Sequence, residues 1–292
     1  MLSILIVNWN TRDYLRACLQ SLRTTCRDVE HEIIVVDNDS QDESAQMVTD
    51  EFPEVILLAQ TYNLGFAAGN NLAFSRARGD FIWLLNPDTE VLGAAPQVLL
   101  HFLWNQSQIG GVASALIDAR DGTIQRSCRT FPTPRALWAQ GLGLAFLFPR
   151  SKRFGFYKMG WWNHRDARRV EQPMASSLML RRAAIEAAGG LFDEDFPIFF
   201  NDVDLCLRLE TANWPIWYWP EARVKHWGGA ATSQIRAAMI RESHRSLRRF
   251  YQKHYRATTS SFIFCGTLFM AEIAGRLRGF AVQRREKKRR PN

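Results

Sequence analysis

Short apolar runs alternate with amphipathic stretches over the first 85 residues of the chain. Ser3–Val7 and Glu32–Val36 are rich in Ile and Val and are followed by polar residues, as buried parallel strands are. Val55–Ala59 and Phe81–Leu85 are predicted as the third and fourth strands. Between the first two, apolar residues recur at helical spacing from Tyr14 to Leu22. This alternation predicts an α/β fold with a doubly wound, mostly parallel sheet flanked by helices.

Local signals place further elements along the chain. Ser40-Gln41-Asp42-Glu43 fits a capping box and predicts the start of a helix, and Phe66–Arg78 is predicted as the next helix. In the second half, a strand is predicted at Val112–Ile117 and a turn at Asp121-Gly122. Residues 131–165 are less regular, with two prolines followed by an apolar and aromatic stretch.

Polar side chains follow three of the predicted strands. Carboxylates or amides come after the first, second and fourth strands, at Asn10, Asp37, Asn38, Asn86 and Asp88. The carboxyl ends of parallel strands meet at one edge of a sheet, and open α/β sheets bind their ligands there. The sequence therefore predicts a ligand site at this edge.

Two segments near this edge are candidates for contacts with a nucleotide. Asp37 and Asn38 on their own fit simple turn formers. In an α/β sheet, however, a carboxylate or amide at this place commonly binds a ribose or a base. The run from Asn63 to Asn71 places two glycines where a backbone could approach a ligand closely, and it has neither the P-loop nor the Rossmann spacing.

Asp88 is the most informative polar residue, because an Asp just after Pro87 at the end of a buried strand has no packing reason to be there. The alternative is a cap for a helix that opens at Gly93-Ala94-Ala95, and Asp88 comes several residues too early for it. Carboxylates supplied singly, with a phosphate completing the shell, are how proteins usually hold Mg²⁺ or Mn²⁺. Asp88 is therefore predicted to anchor a metal-bound diphosphate.

Asp202 and Asp204 lie two residues apart at a predicted helix start, after an apolar stretch. They fit first-turn acids that the helix dipole stabilises. A partly desolvated carboxylate beside aromatic residues also fits a general base, and the residue pattern leaves both open.

His226 follows a strand-like stretch, Trp217–Pro220. A lone histidine is more often structural than a ligand, so it gains a role only if the fold brings it to Asp88.

Composition excludes several classes of protein. The 292-residue chain is 47% hydrophobic and 23% charged, which excludes disordered, collagen-like and low-complexity chains. Its five cysteines are scattered without a C-x-x-C pair, which argues against a disulfide framework and a zinc site. The apolar start lacks a basic region and meets Asn8 before a signal-peptide core could form. We therefore expect a cytoplasmic chain that begins with a strand.

Charge is unevenly distributed along the chain. Residues 1–234 carry 22 Lys and Arg against 26 Asp and Glu, a net charge of −4, whereas residues 235–292 carry 15 against 3, a net charge of +12. This change predicts one domain over residues 1–234 and a basic helical segment over residues 235–292. Such a segment fits a nucleic-acid arm, an attachment to anionic lipid or a solvated helical surface.

Several motifs occur in a fixed order along the chain. They are V-N-W-N, V-V-D-N-x-S, N-L-G-F-A-x-G-N-N, L-L-N-P-D-T, G-G-L-F-D-E, N-D-V-D-L-C-x-R and H-W-G-G. With these motifs the chain resembles the inverting family-two glycosyltransferases of GT-A fold over residues 1 to about 235. Within that family it is similar to the bacterial rhamnosyltransferases of cell-surface polysaccharide assembly.

The resemblance implies roles for the residues that match its motifs. It implies that Asp202 is the catalytic base, that Asp88 is a metal ligand joined by His226, and that the metal is Mg²⁺ or Mn²⁺. The residues assigned to substrate binding are Asn10, Asp37, Asn38, Asn63, Gly65, Phe66, Asn70, Asn86, Ser176 and Ser177.

Three positions depart from the family pattern. Asn201 stands where the family usually has Glu, Ser176-Ser177 where it usually has Gly-Ala, and Trp227 where a second His is common. The first departure bears on the electrostatics around Asp202, and the other two bear on the donor sugar.

The resemblance implies that a sugar moves from a nucleoside diphosphate, with inversion, to a hydroxyl of a glycan or polyprenyl-lipid-linked acceptor in cell-envelope polysaccharide synthesis. L-Rhamnose from dTDP-rhamnose is the best match. The alternatives are another donor such as a UDP-hexose, and a non-catalytic scaffold of the same fold, which only Asn201 favours. A sugar nucleotidyltransferase would need a glycine-rich N-terminal loop, which Asn8-Trp9-Asn10-Thr11 does not provide.

The basic segment is predicted to attach the protein to a membrane. A helix is predicted at residues 235–256, and the apolar run Phe262–Ala274 is shorter than the roughly 20 residues that span a bilayer. Arg284–Arg290 is a basic cluster of the kind that binds anionic lipid, and with an apolar helix it meets the two-signal requirement for stable attachment. We therefore expect a peripheral protein on the inner face of the cell membrane. Nucleic acid is not an expected partner, because no recognition motif occurs and residues 1–234 are acidic.

Overall fold

The structure is a computed structural model that describes residues 1–230, 236–273 and 275. It divides into two compact units. The first comprises residues 1–129, 163–197 and 201–230, and the second comprises residues 130–162, 198–200 and the described residues from 236 onward. The predicted domain boundary after residue 234 stays a prediction. In the structure, residues 130–162 belong to the same unit as the described C-terminal residues.

Strands and helices alternate along the first half of the chain, in the order β1 (Leu2–Asn8), α1 (Arg12–Thr25), β2 (His31–Asp37), α2 (Ser44–Glu51), β3 (Ile56–Ala59), α3 (Phe66–Arg76) and β4 (Phe81–Leu85). The chain continues with β5 (Thr89–Val91), α4 (Ala95–Asn105), β6 (Gly111–Asp118), β7 (Cys128–Arg129), α5 (Pro134–Gly141), α6 (Leu144–Leu147), β8 (Arg168–Val170), β9 (Gln172–Pro173), β10 (Ser177–Arg181), α7 (Arg182–Ala187), α8 (Asn201–Thr211), β11 (Ile216–His226) and α9 (Arg236–His254).

The first unit is built on one large sheet with the strand order β3-β2-β1-β4-β10-β6-β11-β5, and β8 pairs with β11. β1 runs parallel to β2 and β4, and β2 runs parallel to β3. β10 is antiparallel to both of its neighbours, β4 and β6. The predicted α/β sheet flanked by helices is confirmed.

Burial explains why the predicted strands and helices form where they do. Every residue of β1 is buried, as is all of β4, which agrees with continuous apolar runs in central parallel strands. Helix α1 buries Leu15, Cys18, Leu19 and Leu22 at helical spacing, and these side chains belong to the main apolar core. The four predicted strands of the first half are confirmed within one or two residues at each end.

The predicted capping box at Ser40–Glu43 is wrong. Helix α2 begins at Ser44, and Glu43 before it has a left-handed φ of 64° and makes no capping hydrogen bond. The hydroxyl of Ser40 instead accepts hydrogen bonds from the backbone N–H of Asn10 at 2.9 Å and from the side-chain amide of Asn8 at 3.1 Å. Ser40 therefore ties the loop after β2 to the loop after β1.

Two strands that the sequence pattern did not predict complete the sheet around the ligand edge. β10 inserts beside β4 and brings Ser177 opposite Leu85, so the residues before β10 lie next to those after β4. β5 pairs with the end of β11 and places Thr89 opposite His226. β11 extends well beyond its predicted stretch, with an irregularity between Trp219 and Arg223 that accommodates a proline, which cannot donate to the ladder.

The second unit is helical in its described part. The indole of Trp138 in α5 donates to the hydroxyl of Thr267 at 3.0 Å, which joins α5 to a helix of residues 261–273. The predicted C-terminal helix is α9, which buries Phe250 and Tyr251. Among the described residues, no helix is long and apolar enough to cross a membrane. The predicted basic cluster Arg284–Arg290 lies outside the described residues.

Candidate active site

The carboxyl ends of β1 and β2 are joined by buried hydrogen bonds around Asp37. The amide of Asn8 donates to Asp37 Oδ1 at 2.8 Å, and the backbone N–H of Ser40 donates to Asp37 Oδ2 at 3.0 Å. Asn10 lies beside them, and its side-chain oxygen accepts from the backbone N–H of Gln41 at 2.7 Å. Asp37 thus holds the two loops in place, and its contact with a nucleoside stays a prediction.

Asn38 carries an unusual buried acceptor. Its side-chain amide donates to the carbonyl of Gly65 at 3.1 Å, which joins the end of β2 to the loop before α3. Its Oδ1 atom is buried and has no hydrogen-bond partner in the structure. A buried polar atom without a partner costs free energy, so this oxygen is a place where a ligand donor would be favourable.

The loop before α3 owes its shape to Gly65, whose φ of 84° lies in the left-handed region that favours glycine. Its backbone N–H donates to Asn63 Oδ1 at 2.8 Å. The first two N–H groups of α3, those of Phe66 and Ala67, donate to the carbonyl of Pro197, so these two are already satisfied. Asn70 is buried and donates to the carbonyl of Phe66 at 2.9 Å. These predicted binding residues shape the loop through contacts within the protein.

Asp88 and His226, predicted as metal ligands, lie side by side. His226 Nε2 is 3.5 Å from Asp88 Oδ1, and both side chains are almost fully buried. The backbone N–H of Ala230 donates to Asp88 Oδ2 at 3.2 Å. Burial opposes ionisation of Asp88, but the hydrogen bond and charge of His226, together with Ala230, outweigh it and hold the pKa of Asp88 below its usual value.

Gln125 fixes the orientation of the His226 ring. The side-chain amide of Gln125 donates to the backbone carbonyl of His226 at 2.9 Å, so its oxygen is left to face His226 Nδ1 at 2.8 Å. Because Nδ1 is then the donor to Gln125, Nε2 is the nitrogen that faces Asp88. In this tautomer Nε2 presents its lone pair, which is the form of imidazole that binds a cation.

The Asp88–His226 pair fits a divalent cation by its donor atoms and their separation. Two adjacent ligands of one Mg²⁺ ion lie about 3 Å apart, because the bonds are about 2.1 Å long and meet at about a right angle. The observed 3.5 Å is close to that separation. The described residues group no three or more His, Cys, Asp or Glu side chains as a metal site, so the protein offers only part of a coordination shell here.

The loop after β4 is joined to the segment before β10. The backbone N–H of Asn86 donates to the carbonyl of Ser176 at 3.0 Å, and its side-chain amide donates to the Ser176 hydroxyl at 3.1 Å. Ser177 differs, because its buried hydroxyl accepts from the indole of Trp83 at 3.1 Å. Asn86 and Ser176 therefore lie together at the ligand edge, whereas Ser177 is engaged with the core.

Asp202 is connected to the Asn86–Ser176 contact through the backbone of Ala175. The carboxylate of Asp202 accepts hydrogen bonds from the backbone N–H groups of Val203 and Ala175, and Ala175 directly precedes Ser176. Burial raises the pKa of Asp202 above its ordinary value, while these two N–H groups and the charge of Arg129 oppose the rise. A carboxylate whose pKa is raised by burial, and whose orientation is fixed by backbone N–H groups, has the properties of a general base.

Asp204 and Asn201 have other roles. Asp204 is fully buried and accepts from Arg208 Nε at 2.7 Å, and the Arg208 guanidinium also donates to the carbonyls of Ala188, Gly190 and Leu191. Asn201 donates from its amide to the carbonyl of Phe196 at 3.2 Å. A glutamate at position 201 would have no N–H for that bond, so the asparagine side chain stabilises the turn between Phe196 and α8.

Trp227 also contributes to the surroundings of Asp88. Its backbone N–H donates to the backbone carbonyl of Asp88 at 3.0 Å, and its ring packs against Tyr14 at a centroid distance of 5.7 Å. Neither this contact nor the Gln125 contact was predicted. Gln125 lies in irregular sequence after a turn, where no periodicity or motif marks it. It reaches His226 because its segment folds back beside β6, which pairs with β11.

Part of the chain matches a known protein family. Residues 3–130 match the family model of glycosyl transferase family 2. The chain is 25% identical to the N-acetylglucosaminyl-diphospho-decaprenol L-rhamnosyltransferase of Mycobacterium tuberculosis, over 84% of this chain and 82% of that protein. The match extends beyond the family model and includes most of both chains.

Two solved structures share the fold. The mannosyltransferase PcManGT from Pyrobaculum calidifontis, in complex with GDP-Man and Mn²⁺, matches 95% of this chain and 70% of its own with a TM-score of 0.58 at 16% identity. GalNAc-T7 with UDP, GalNAc and Mn²⁺ matches 85% of this chain and 47% of its own with a TM-score of 0.59 at 15% identity. Both are glycosyltransferases of GT-A fold. The chain is therefore a glycosyltransferase of GT-A fold whose residues 3–130 match the model of glycosyl transferase family 2.

Proposed function

We propose that the protein is a metal-dependent, inverting glycosyltransferase that moves L-rhamnose from dTDP-rhamnose to a hydroxyl of a lipid-linked glycan in cell-envelope polysaccharide synthesis. The observation that carries the proposal is the junction of Asn86 with Ser176. It links the loop of Asp88 to the backbone that holds the Asp202 carboxylate. Asp88, the proposed metal ligand, and Asp202, the proposed base, thus belong to two segments that are connected at one edge of the sheet.

Asp88 and His226 are the residues that would hold the divalent cation, with the donor diphosphate completing its shell. A divalent cation bound there would stabilise the negative charge that develops on the leaving diphosphate. The protein's own contribution is to present one charged oxygen and one oriented imidazole nitrogen in a buried setting, where Coulomb interactions are stronger than in water.

Asp202 would remove the proton from the acceptor hydroxyl as that oxygen attacks the anomeric carbon. Attack from the side opposite the leaving diphosphate inverts the configuration, and no covalent enzyme intermediate is needed. The two backbone N–H groups that Asp202 accepts hold its carboxylate in one orientation. That orientation is what a base needs to receive a proton at a defined position.

The proposed nucleoside contact is supported by the unpartnered oxygen of Asn38. Thymine and uracil each carry a ring N–H that can donate to such an acceptor. The choice of rhamnose is supported by the name of the Mycobacterium tuberculosis relative, which also names a diphospho-decaprenol acceptor. A UDP-hexose remains the alternative donor. The scaffold alternative rests on Asn201, whose hydrogen bond to Phe196 leaves Asp202 in place.

Donor choice can be tested by thermal stabilisation. We expect dTDP-rhamnose with Mn²⁺ to raise the melting temperature, and at a hundred times its Kd the free energy of unfolding rises by about 2.7 kcal/mol. UDP-glucose, UDP-N-acetylglucosamine and GDP-mannose serve as comparators, each measured with Mn²⁺ and with excess chelator. If only a UDP-sugar stabilised the protein, that sugar would be the donor in place of dTDP-rhamnose. If no nucleotide sugar stabilised it, the scaffold alternative would be supported.

Replacement of Gln125 by methionine should weaken metal binding without touching either ligand. The methionine side chain has similar length but offers only a weak sulfur acceptor to His226 Nδ1 and no donor to the His226 carbonyl, so the imidazole would lose its fixed orientation. Loss of such a partner typically weakens metal affinity by about 10- to 100-fold. Mn²⁺ affinity in the presence of dTDP can be measured by electron paramagnetic resonance. Gln108→Met, at an exposed position, is the matched control. Equal affinities for Gln125→Met and the control would show that the ring needs no such partner.

Attachment to an anionic membrane is part of the same proposal. It rests on the net charge of +12 in residues 235–292 and on the basic cluster Arg284–Arg290, which the structure does not describe. A lipid-linked acceptor would place the substrate at that surface. Each basic residue near an anionic surface contributes about 1 kcal/mol, and salt screens the contribution.

A further inference from the structure

The second unit exposes a concentrated set of large apolar side chains. Of the eleven that the described residues expose, eight lie in residues 142–148 and 262–273. The most exposed are Phe262 at 89% and Phe146 at 87%. Scattered apolar residues on a surface need no explanation, but clustered ones mark a contact surface. We call residues 142–148 and the exposed face of residues 262–273 the apolar surface.

The two parts of the apolar surface are neighbours. Besides the Trp138–Thr267 hydrogen bond, Gly141 faces Met270 so closely that an added Cβ would lie 3.0 Å from its sulfur. A groove of about 960 Å³ runs between them and is lined by residues of both, among them Leu142, Leu144 and Ile263. The two segments therefore form one continuous apolar region.

The helix of residues 261–273 presents a largely apolar face outward, on which the exposed Glu272 is the acidic residue. Phe262, Cys265 and Phe269 follow a spacing of three and four residues, which places them on one side, and all three are exposed. Phe264 and Thr267 lie on the opposite side and are buried. A helix with apolar residues on its exposed face as well as its buried face is suited to contact with a non-aqueous phase.

Charge around the apolar surface identifies the phase it contacts. Residues 130–162 carry no acidic residue and five basic ones, namely Arg135, Arg150, Lys152, Arg153 and Lys158, and residues 262–273 add one acidic residue, Glu272. A second copy placed on this surface would bring like charges together, whereas an anionic bilayer supplies both negative headgroups and an apolar interior. We infer that the apolar surface inserts into the interface of an anionic lipid bilayer.

This inference builds on the proposed membrane attachment and assigns its apolar part to described residues. The basic tail alone would hold the protein at the headgroups by charge. Insertion of phenylalanine and leucine side chains adds a hydrophobic contribution that salt does not screen. The two contributions can therefore be separated by experiment.

Cys265 provides a natural position for a reporter of insertion. The other four cysteines are buried, so a maleimide fluorophore sensitive to polarity should label the intact chain at Cys265. We expect its emission to rise and shift to the blue on phosphatidylcholine vesicles that contain phosphatidylglycerol, and to persist when salt is raised. Vesicle-bound protein whose label still reports water would overturn the inference.

The double variant Phe146→Ser, Phe262→Ser tests the surface itself. Both side chains are almost fully exposed, so the fold should remain, and we expect vesicle binding to weaken by about tenfold or more. Trp104→Ser removes a 74% exposed aromatic of the first unit and is the matched control, expected to bind like the wild type. Unchanged binding by the double variant, or a loss of self-association in its place, would overturn the inference.

Deletion of residues 284–292 distinguishes the contribution of the apolar surface to membrane binding from that of the basic C-terminal cluster. We expect the deletion to weaken binding at low salt and to leave the label response of the bound fraction intact. A deletion that abolishes the response, with no effect of the double variant, would assign binding to the tail alone. Transfer to a water-soluble acceptor tests the proposed reaction independently, and we expect the double variant to retain it.

Discussion

Replacement of Asp88 by asparagine should lower the rate of glycosyl transfer by about a hundredfold or more while the fold is kept. The Asp88 side chain is buried, and among the ion pairs of the described residues its carboxylate is the one that faces His226. Asparagine keeps the shape, can still accept from Ala230, and can donate to His226 Nε2. It lacks the negative charge that a divalent cation requires, so several kcal/mol of transition-state stabilisation would be lost.

The measurement is initial transfer rate against Mn²⁺ concentration, with the melting temperature recorded for each variant. Glu90→Gln is the matched control, because it removes a carboxylate two residues away that pairs with Lys225 at 3.3 Å. We expect that control to transfer at nearly the wild-type rate. Full activity of the wild type in excess chelator, or of Asp88→Asn in Mn²⁺, would remove Asp88 from the metal site.

Replacement of Asp202 by asparagine should reduce kcat by about 10²- to 10⁴-fold, the range that a general base contributes. Donor binding should be nearly unchanged, because the proposed donor contacts lie on other residues. The test is single-turnover transfer together with thermal stabilisation by the donor and Mn²⁺. A variant that transfers at the wild-type rate would show that another group takes the proton.

The control for Asp202→Asn is Asp50→Asn, an exposed position in α2. Asp204 would be a poor control despite its proximity. Its carboxylate is fully buried against Arg208, and removal of one partner of such a pair leaves an unpaired buried charge, which costs about 3–5 kcal/mol. Loss of activity in Asp204→Asn would therefore report unfolding rather than chemistry.

The raised pKa of Asp202 gives the same prediction a pH signature. The base works in its ionised form, so kcat falls as pH drops through the pKa of Asp202. Because burial raises that pKa, the acid limb should lie above the ordinary carboxyl value of about 3.9. The profile of kcat against pH measures it, and in Asp202→Asn the residual activity should lack this limb.

Much of the fold follows from local sequence. Three of the four parallel strands of the first half, β1, β2 and β4, are recognisable because they are buried on both faces and are therefore largely apolar. β3 is only partly buried, and its apolar residues mark it. β10 is different, since its place between β4 and β6 depends on pairing with strands distant in the chain. The capping box failed for a related reason. Ser40 has partners after β1, and that tertiary contact outweighs the local pattern.

The positions of the polar side chains were predicted better than their contacts, and their roles stay predictions. Topology alone places polar residues after β1, β2 and β4 at one edge, and the structure has them there. Sequence does not tell which neighbour a polar side chain will face. Asp37 faces Asn8 and Ser40, and Ser177 faces Trp83, whereas Asn38 leaves one buried oxygen unpartnered. Gln125 shows the converse, a residue without a motif that orients a predicted ligand.

The anomeric configuration of the transferred sugar tests most directly whether this edge of the sheet catalyses metal-assisted inversion. The product can be made from the donor that gives the largest thermal stabilisation, with Mn²⁺ and in excess chelator, and its configuration assigned by nuclear magnetic resonance. We expect a configuration opposite to that of the donor, and no product in the chelator. A retained configuration, or equal product with and without metal, would contradict the roles proposed for Asp202 and Asp88.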